Sequence, residues 1–272
     1  MDEAAKKVVL SFEHVTVSFD SNVVLRDVSF QALEGESRII FGSAGSGKTV
    51  LLKTALGLVR PEKGSVHAFG QDITKLSEQE LFDIRSKIGM LFQESALFDS
   101  LTIEENVAYP LLNQKAIRCP ADRVRPRVEH ALKFVELEET LEKYPSELSG
   151  GMRRRAAIAR AVVTEPPLLL YDSPTAGLDP ITAYTIVALI VKERDLSNTT
   201  TLVVTHRYQD GNLVANFRYN SEDGRLIPWP DAAARTKFMV LREGSLVFEG
   251  NQDELEASRD PYIASFVKRQ GD

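Results

Sequence analysis

The chain has 272 residues, of which 43% are hydrophobic and 26% are charged, so it can bury a full core and is not disordered over most of its length. A formal net charge of −6 disfavours nucleic acid as the main partner. The single cysteine, Cys119, excludes an internal disulfide. No run of about 18 apolar residues occurs, so we expect any membrane association to come through a partner protein.

The first predicted elements are strands. Residues 8–19 and 23–32 alternate apolar and polar side chains, which predicts two half-buried strands joined by a turn at residues 20–22. Residues 38–41 predict a short buried strand, a glycine-rich loop follows it, and residues 49–58 have the spacing of a helix. The N-terminal strands are therefore expected to form an antiparallel β-subdomain.

The middle of the chain is predicted to be helical. Four of its apolar residues share one helical face: Val124, Val128, Leu132 and Val135. Pro120 and Pro126 suggest that this helix begins only near residue 123 or 126, because proline is unfavourable inside a helix. We expect an α-helical subdomain, about residues 94–148, inserted into an α/β core.

Helices and strands alternate after this subdomain. A helix is predicted over residues 152–164, a strand over 168–171, a helix over 181–194 and a strand over 200–206. This alternation predicts a parallel sheet flanked by helices, which places the chain in the α/β class.

Residues 217–237 interrupt the alternation and are rich in turn residues. They are either a surface loop or a subunit-docking surface; the sequence favours the loop, in which Trp229 should find an apolar neighbour. A strand pair turning at Glu243 and Gly244 follows, and short helices are predicted in the C-terminal tail, residues 251–272.

A phosphate-binding loop is the clearest functional motif. Residues 42–49, GSAGSGKT, match the pattern G-x-x-x-x-G-K-[ST] between a predicted strand and a predicted helix. Glycines let backbone N–H groups surround an anion, Lys48 can reach the β- and γ-phosphates, and the Thr49 hydroxyl can bind Mg²⁺. The predicted nucleotide-binding residues are Gly42, Ser43, Ala44, Gly45, Ser46, Gly47, Lys48 and Thr49. The motif predicts a nucleoside-triphosphate site.

Asp172 ends the predicted buried strand LLLYD. A carboxylate at the tip of a strand in the same parallel sheet can hold a metal ion beside the phosphates. Alone, such an aspartate would more often cap the strand end. Together with the phosphate loop, it is predicted to bind the metal ion.

A second glycine turn, residues 149–151, opens the arginine-rich stretch LSGGMRRRAAIARAV. It is either another anion site or a plain helix cap. Because the phosphate loop precedes it and PTAGLD follows it, the turn resembles the signature of the nucleotide-binding subunits of ABC transporters. The resemblance covers about residues 8–250 and implies one ABC ATP-binding domain with a P-loop NTPase fold, using ATP and Mg²⁺.

The resemblance also implies roles for single residues. Phe19 lies where such subunits stack an aromatic ring on adenine, although it could equally be a strand-core residue. Gln93 matches the glutamine that senses the metal ion and joins the helical subdomain. His206 matches the switch histidine that touches the γ-phosphate.

The resemblance further implies that a second copy of the chain completes the nucleotide site. Ser149, Gly150 and Gly151 would contact the γ-phosphate held by the other subunit, and Asp179 would work across the same interface. Two subunits, expected to be identical, would enclose two ATP molecules and drive an integral membrane permease whose cytoplasmic helix docks beside Gln93. No nucleic acid partner is expected.

Ser173 departs from the family pattern, which has a glutamate directly after the metal-binding aspartate to polarise the attacking water. Loss of a general base typically slows a reaction about 10²–10⁴-fold. Three explanations remain open: a natural, slow ATPase in which His206 positions water, a degenerate ATP-binding partner that needs another subunit, or an engineered substitution that traps the ATP-bound state. We favour an ATPase with low turnover or a relocated base.

A weaker resemblance concerns the cargo. Residues 90–112, MLFQESALFDSLTIEENVAYPL, and residues 147–162 are similar to the ATPase subunits of Mce/Mla-type lipid transporters. This implies phospholipid transport, a lipid-binding Mce-type partner and a place on the cytoplasmic face of the inner membrane. The alternatives are an importer for another small cargo, a soluble ABC-type ATPase and a non-hydrolysing regulatory subunit.

Overall fold

The structure, a computed structural model, describes residues 7–114, 116–229 and 234–267. The strands are β1 (Val8–Phe19), β2 (Asn22–Leu33), β3 (Ser37–Gly42), β4 (Lys63–Ala68), β5 (Gln71–Asp72), β6 (Ile88–Leu91), β7 (Leu168–Asp172), β8 (Thr200–Val204), β9 (Phe217–Asn220), β10 (Arg225–Pro228), β11 (Thr236–Arg242) and β12 (Ser245–Gly250). The helices are α1 (Lys48–Ala55), α2 (Glu78–Arg85), α3 (Ile103–Asn113), α4 (Ala121–Phe134), α5 (Gly150–Val162), α6 (Pro180–Ser197), α7 (Tyr208–Asn216), α8 (Gln252–Glu256) and α9 (Pro261–Val267).

The central sheet has six strands in the order β12-β11-β3-β8-β7-β6. Neighbouring strands run parallel except β11 and β12, which form an antiparallel pair. Every residue of β3, β7 and β8 is buried, as expected for parallel strands that are covered on both faces. The predicted parallel sheet flanked by helices is confirmed.

A second sheet, in the order β2-β1-β4-β5, is antiparallel throughout. The β1–β2 loop consists of Asp20 and Ser21, whose φ angles are 46° and 74°. Two positive φ angles are typical of a type I′ turn, whose twist matches that of the flanking strands. The predicted turn and antiparallel subdomain are confirmed, although Asn22 already belongs to β2.

The helices α3 and α4 lie between β6 and β7 in the chain and pack against α5. α4 begins at Ala121 with Pro120 as its N-cap, so the predicted start near residue 123 or 126 is wrong. Pro126 is the sixth residue of the helix, where it removes the bond that an N–H would donate to the Asp122 carbonyl oxygen, and burial of Val128 and Leu132 outweighs this cost. The apolar face is as predicted, since Val128 and Leu132 are buried.

The core consists of two clusters of buried side chains, one on each face of the central sheet. Ile39 and Phe41 of β3 belong to the cluster beneath α3–α7, whereas Ile40 belongs to the cluster shared with the N-terminal sheet. Side chains alternate across a strand, so one apolar strand supplies both clusters. Packing on both faces holds the strand ends in defined positions.

The predicted loop at residues 217–237 contains a β-hairpin, formed by β9 and β10, rather than irregular structure. The end of α6 fixes it: Arg194 donates to the carbonyl oxygen of Phe217 at 2.8 Å, and Asp195 accepts the backbone N–H of Tyr219 at 2.8 Å. These contacts lie far apart in the sequence, so local composition could not reveal them. Residues 230–233 of this segment lie outside the described residues.

Trp229 follows the hairpin and is half-buried. The guanidinium groups of Arg218 and Arg235 lie 5.9 and 5.8 Å from its ring centre, which is cation–π geometry. Two cations therefore contact this ring, and the expected apolar neighbour stays a prediction.

Candidate functional site

Four strands of the central sheet end at one edge, and a predicted site residue lies at or just beyond each end. Residues 42–49 include the end of β3 and the loop after it, Gln93 follows β6, Asp172 ends β7, and His206 follows β8. In open parallel sheets, ligands bind in the crevice at the carboxyl ends of the strands. The topology thus collects residues that are distant in the chain at one edge.

The loop of residues 42–49 connects β3 to α1. Gly47 precedes the helix with a φ of 99°, in the left-handed region that favours glycine. A Cβ atom there would also lie 2.7 Å from the carbonyl oxygen of Val24, so the close backbone approach requires glycine. The helix N-terminus and the open loop backbone together suit a phosphate group.

The Lys48 ammonium group lies within this loop. Its Nζ donates to the carbonyl oxygens of Gly42 at 2.8 Å and Ser43 at 2.7 Å, and lies 3.3 Å from the Ser46 hydroxyl. Burial lowers the pKa of Lys48, and the Asp172 carboxylate opposes this effect by favouring the charged form. Phosphate oxygens would offer the ammonium group stronger, charge-assisted bonds than these neutral carbonyls.

The predicted metal ligands Thr49 and Asp172 lie in contact. The Thr49 hydroxyl donates to Asp172 Oδ2 at 2.7 Å, and Asp172 is 2% exposed. Mg²⁺ prefers oxygen ligands and commonly takes only one or two from the protein, the others coming from phosphate and water. These two side chains therefore fit a Mg²⁺ ion that binds together with a nucleotide.

Ser173 lies directly beside the predicted metal ligand. Its N–H donates to the carbonyl oxygen of Val204 at 2.9 Å, and its hydroxyl donates to Asp172 Oδ1 at 3.2 Å. A hydroxyl group bound in this way is a hydrogen-bond donor and no substitute for a carboxylate base. His206, which is exposed, follows the same strand end that holds the Ser173 backbone.

A buried carboxylate, Asp210, ties the segment after β7 to the end of β8. Its Oδ2 accepts hydrogen bonds from the hydroxyl groups of Thr175 at 2.6 Å and Thr205 at 2.7 Å. Burial raises the pKa of Asp210, and the two threonine bonds oppose that effect. The network fixes the segments that carry Ser173 and His206, and nothing in the local sequence pattern predicts it.

Phe19 and Gln93 both present exposed side chains. Phe19 ends β1 with 47% of its surface exposed, so the alternative of a strand-core residue is wrong. The adenine-stacking role of Phe19 stays a prediction. Gln93 is exposed two residues beyond β6, and its backbone carbonyl oxygen accepts a hydrogen bond from Arg154. Its role as a metal sensor also stays a prediction.

The second glycine turn starts α5, which begins at Gly150, two residues earlier than predicted. Ser149 is the N-cap, and its hydroxyl accepts the N–H of Met152 at 3.3 Å. A Cβ atom on Gly151 would lie 2.6 Å from Thr182 Cγ2, so glycine lets α5 approach α6 closely. Ser149 is thus a helix cap, and contact with a second subunit's nucleotide stays a prediction.

Asp179 is the N-cap of α6, accepting the backbone N–H groups of Ile181 and Thr182. Hydrogen bonds from the Thr182 hydroxyl and from these N–H groups lower the pKa of Asp179. Asp179 and Ser149 line one exposed recess, and none of residues 42–49 lines it. The signature turn and the phosphate loop are therefore separate surfaces of the chain.

Arg154, which no motif singles out, connects three segments of the site. Its guanidinium group donates to the carbonyl oxygens of Phe92 at 3.1 Å and of Gln93, and lies 3.5 Å from that of Ala176. Burial lowers the pKa of Arg154, and the Asp172 charge opposes this. The side chain joins α5 to the segments after β6 and β7. Its position in an arginine-rich helix start is the only signal in the sequence.

Replacing Arg154 with alanine should lower the melting temperature by about 2–12 °C. Carbonyl groups left unpaired in a buried site cost about 1–3 kcal/mol, and each kcal/mol shifts the midpoint of a chain of this size by about 2–4 °C. Scanning calorimetry measures the effect. Arg125→Ala is the control, because Arg125 is exposed and its ion pairs with Glu129 of α4 and Glu104 of α3 lie near the surface, where such pairs contribute little. Equal melting temperatures for the two variants would contradict the prediction.

Comparison with known proteins agrees with this geometry. A family model described as ABC transporter matches residues 25–176. The intermembrane phospholipid transport system ATP-binding protein MlaF of Haemophilus influenzae is 32% identical over 97% of this chain and 92% of its own length. The probable ribonucleotide transport ATP-binding protein mkl of Mycobacterium leprae is 39% identical over 96% of this chain and 69% of its own length.

A solved structure shares the fold. The dimeric ATP-binding cassette MJ0796, in a post-hydrolysis state bound to ADP and Pi, superposes with a TM-score of 0.75 at 30% identity, covering 89% of this chain and 98% of that chain. The family match includes the phosphate loop, the signature turn and Asp172. The chain therefore belongs to the ABC transporter family, as an ATP-binding subunit.

Proposed function

We propose that the chain is the ATP-hydrolysing motor of a phospholipid transporter, acting as a pair of identical subunits beneath a membrane permease on the cytoplasmic face of the inner membrane. The observation that carries the proposal is the arrangement at the edge of the central sheet. There, Lys48 lies in an open phosphate loop and Thr49 contacts the buried Asp172.

The residues divide the work on ATP between them. Residues 42–49 would surround the phosphates, and Lys48 would exchange its carbonyl partners for β- and γ-phosphate oxygens. When bound, Mg²⁺ would neutralise phosphate charge from a position held by Thr49 and Asp172. Phe19, exposed at the end of β1, would stack on the adenine ring.

The separation of the two predicted phosphate-contacting surfaces supports a dimer. Ser149 and Asp179 line a recess that contains no residue of the phosphate loop, so one chain does not close both around one nucleotide. A second copy can present its Ser149 surface to the first copy's loop. ATP would then favour the closed pair by binding it more tightly than the open one, and hydrolysis would remove that preference.

An apolar groove beside Gln93 supports docking of a permease helix. Phe98 and Tyr109, each 41% exposed, pack with ring centroids 4.7 Å apart, and Leu58 is 51% exposed. These three residues line a groove between β6 and α3. Contiguous exposed apolar side chains often mark protein-binding sites. Across the part of the chain that the structure describes, no helix has the length and apolar character to cross a bilayer.

Ser173 favours a second candidate, a subunit that binds ATP and regulates the transporter without hydrolysing it. Its hydroxyl donates to Asp172, and a serine at this position supplies no general base. The two candidates share the same nucleotide site and differ in turnover. We favour slow hydrolysis because the loop, the metal ligands and the signature turn are all retained.

Phospholipid is the proposed cargo. The similarity to MlaF extends over nearly the whole of both chains. The relative from Mycobacterium leprae is named for ribonucleotide transport, so another cargo is the alternative. A lipid-binding Mce-type protein would be the further partner of the complex. We expect the partner proteins to contact the cargo, since the site described on this chain is suited to binding the phosphates of a nucleotide.

Purification of the chain with its partners from mild detergent should yield a polytopic membrane protein, bound phospholipid and slow ATP turnover in one sample. Mass spectrometry identifies the protein and the lipid, and phosphate release measures turnover. Phe98→Asp should lose the membrane protein while ATP binding persists, because a carboxylate in an apolar contact is poorly solvated.

Phe82→Asp is the matched control, since Phe82 is 60% exposed on α2 and does not line the groove. Retention of the membrane protein by Phe98→Asp would contradict docking in the groove. A complex without phospholipid would indicate another cargo, and a complex without ATP turnover would favour the regulatory candidate.

A further inference from the structure

We infer that Tyr262, on the C-terminal helix α9, is a positioning residue of the nucleotide site, and that its hydroxyl group tunes the affinity of the phosphate loop. The inference rests on the nucleotide site proposed above. It concerns a segment outside the family match, which ends at residue 176.

The Tyr262 hydroxyl is bound at the start of the phosphate loop. Its oxygen accepts the backbone N–H of Ser43 at 3.0 Å, and its hydrogen is donated to the carbonyl oxygen of Leu241 at 2.9 Å. The Ser43 hydroxyl lies 3.2 Å away and can donate to the remaining lone pair. The phenol group therefore connects the loop to the end of β11.

The peptide unit that Tyr262 binds is also the one that holds Lys48. The N–H of Ser43 and the C=O of Gly42 belong to one planar trans peptide and point in opposite directions. Tyr262 binds the N–H, and Lys48 Nζ donates to the C=O at 2.8 Å. Because the plane is rigid, fixing its N–H end also fixes the carbonyl group that faces the phosphate-binding lysine.

Side-chain packing holds Tyr262 in this place. Phe266 of the same helix stacks on Phe41, the residue before Gly42, with ring centroids 5.8 Å apart. Tyr262 meets Phe266 edge-on at 5.2 Å, and the Arg242 guanidinium lies 5.6 Å from the Tyr262 ring centre. These contacts hold α9 against β3 and β11, which are neighbouring strands of the central sheet.

The energetic consequence is a coupling between α9 and the nucleotide. A loop whose first peptide is already oriented loses less conformational entropy when it closes on phosphate. Such coupling is reciprocal, so a nucleotide that gains affinity from docked α9 must also stabilise the docking of α9. If Tyr262 had a purely structural role, ATP would not stabilise the docking of α9.

Tyr262→Phe tests the inference, because it removes the hydroxyl group and keeps the ring contacts. We expect the dissociation constant of a fluorescent ATP analogue with Mg²⁺ to rise about threefold to tenfold, the effect of losing the one hydrogen bond that reaches the loop backbone at Ser43. Hydrogen exchange is the second readout. ATP should slow exchange of the α9 amides in the wild-type chain and have little effect on them in Tyr262→Phe. Both proteins are compared at a temperature where both are folded.

Tyr219→Phe is the matched control, since Tyr219 lies in the β9–β10 hairpin, and it should behave as the wild type in both measurements. Equal ATP affinity of the wild type and Tyr262→Phe would overturn the inference alone. If Tyr262→Phe binds ATP more weakly but ATP does not slow exchange of the α9 amides in the wild-type chain, the inference is also overturned, because Tyr262 then has a structural role only. Absence of ATP binding by the wild-type chain would overturn the proposed function and the inference together.

Discussion

Lys48→Ala should lower ATP affinity by about 30-fold to more than 1,000-fold, because removal of one partner from a buried, charged hydrogen-bonded pair costs about 2–5 kcal/mol. Without a phosphate partner, the groups within reach of the ammonium group are neutral: the backbone carbonyl oxygens of Gly42 and Ser43 and the Ser46 hydroxyl. The variant therefore loses much more in the ATP-bound state than in the free state. Titration of the fluorescent ATP analogue with Mg²⁺ measures the change.

The same substitution should abolish ATP-dependent dimerisation. Light scattering should show that ATP with Mg²⁺ raises the mass of the wild-type chain towards that of a dimer and leaves Lys48→Ala unchanged. Lys53→Ala is the control, since Lys53 lies in the last turn of the same helix, away from the loop. A mass that does not respond to nucleotide in the wild-type chain would rule out ATP as the cause of dimerisation.

Ser173→Glu should raise ATP turnover by about 10²–10⁴-fold if the missing carboxylate limits the reaction. The new side chain would start from a backbone position that the bond between the Ser173 N–H and the Val204 carbonyl oxygen already holds beside Asp172. A carboxylate there could accept a proton from water, which the serine hydroxyl does poorly. Phosphate release by the purified complex, compared with the wild-type complex, measures the gain.

Ser173→Gln separates basicity from side-chain size, because glutamine has a similar shape and no basic group. Its turnover should stay close to the wild-type value. If Ser173→Glu leaves the turnover of a fast parent enzyme unchanged, the base lies elsewhere, and His206 becomes the first residue to replace. A gain in Ser173→Gln equal to that in Ser173→Glu would exclude general-base catalysis as its cause.

Features that depend on neighbouring residues were predicted correctly from the sequence, whereas features that depend on residues far apart in the chain were not. The β1–β2 turn was predictable because three adjacent residues, Asp20, Ser21 and Asn22, are of types that favour turns. The start of α4 was not, since the rule against proline inside helices is local, whereas burial of Val128 and Leu132 against the rest of the chain stabilises the helix in spite of Pro126. The β9–β10 hairpin was missed because its position depends on Arg194 and Asp195 of α6, which are distant in the sequence.

The sequence by itself determined the phosphate loop and the signature turn, because each is a contiguous motif whose glycine pattern and flanking elements are local properties. Only the tertiary structure decided that Thr49 contacts Asp172, that Asp210 binds Thr175 and Thr205, and that Tyr262 holds the Ser43 peptide. Most of these contacts join segments far apart in the chain. They follow from which strands are neighbours in the sheet and which helix packs on them, and no periodicity along a single element records that information.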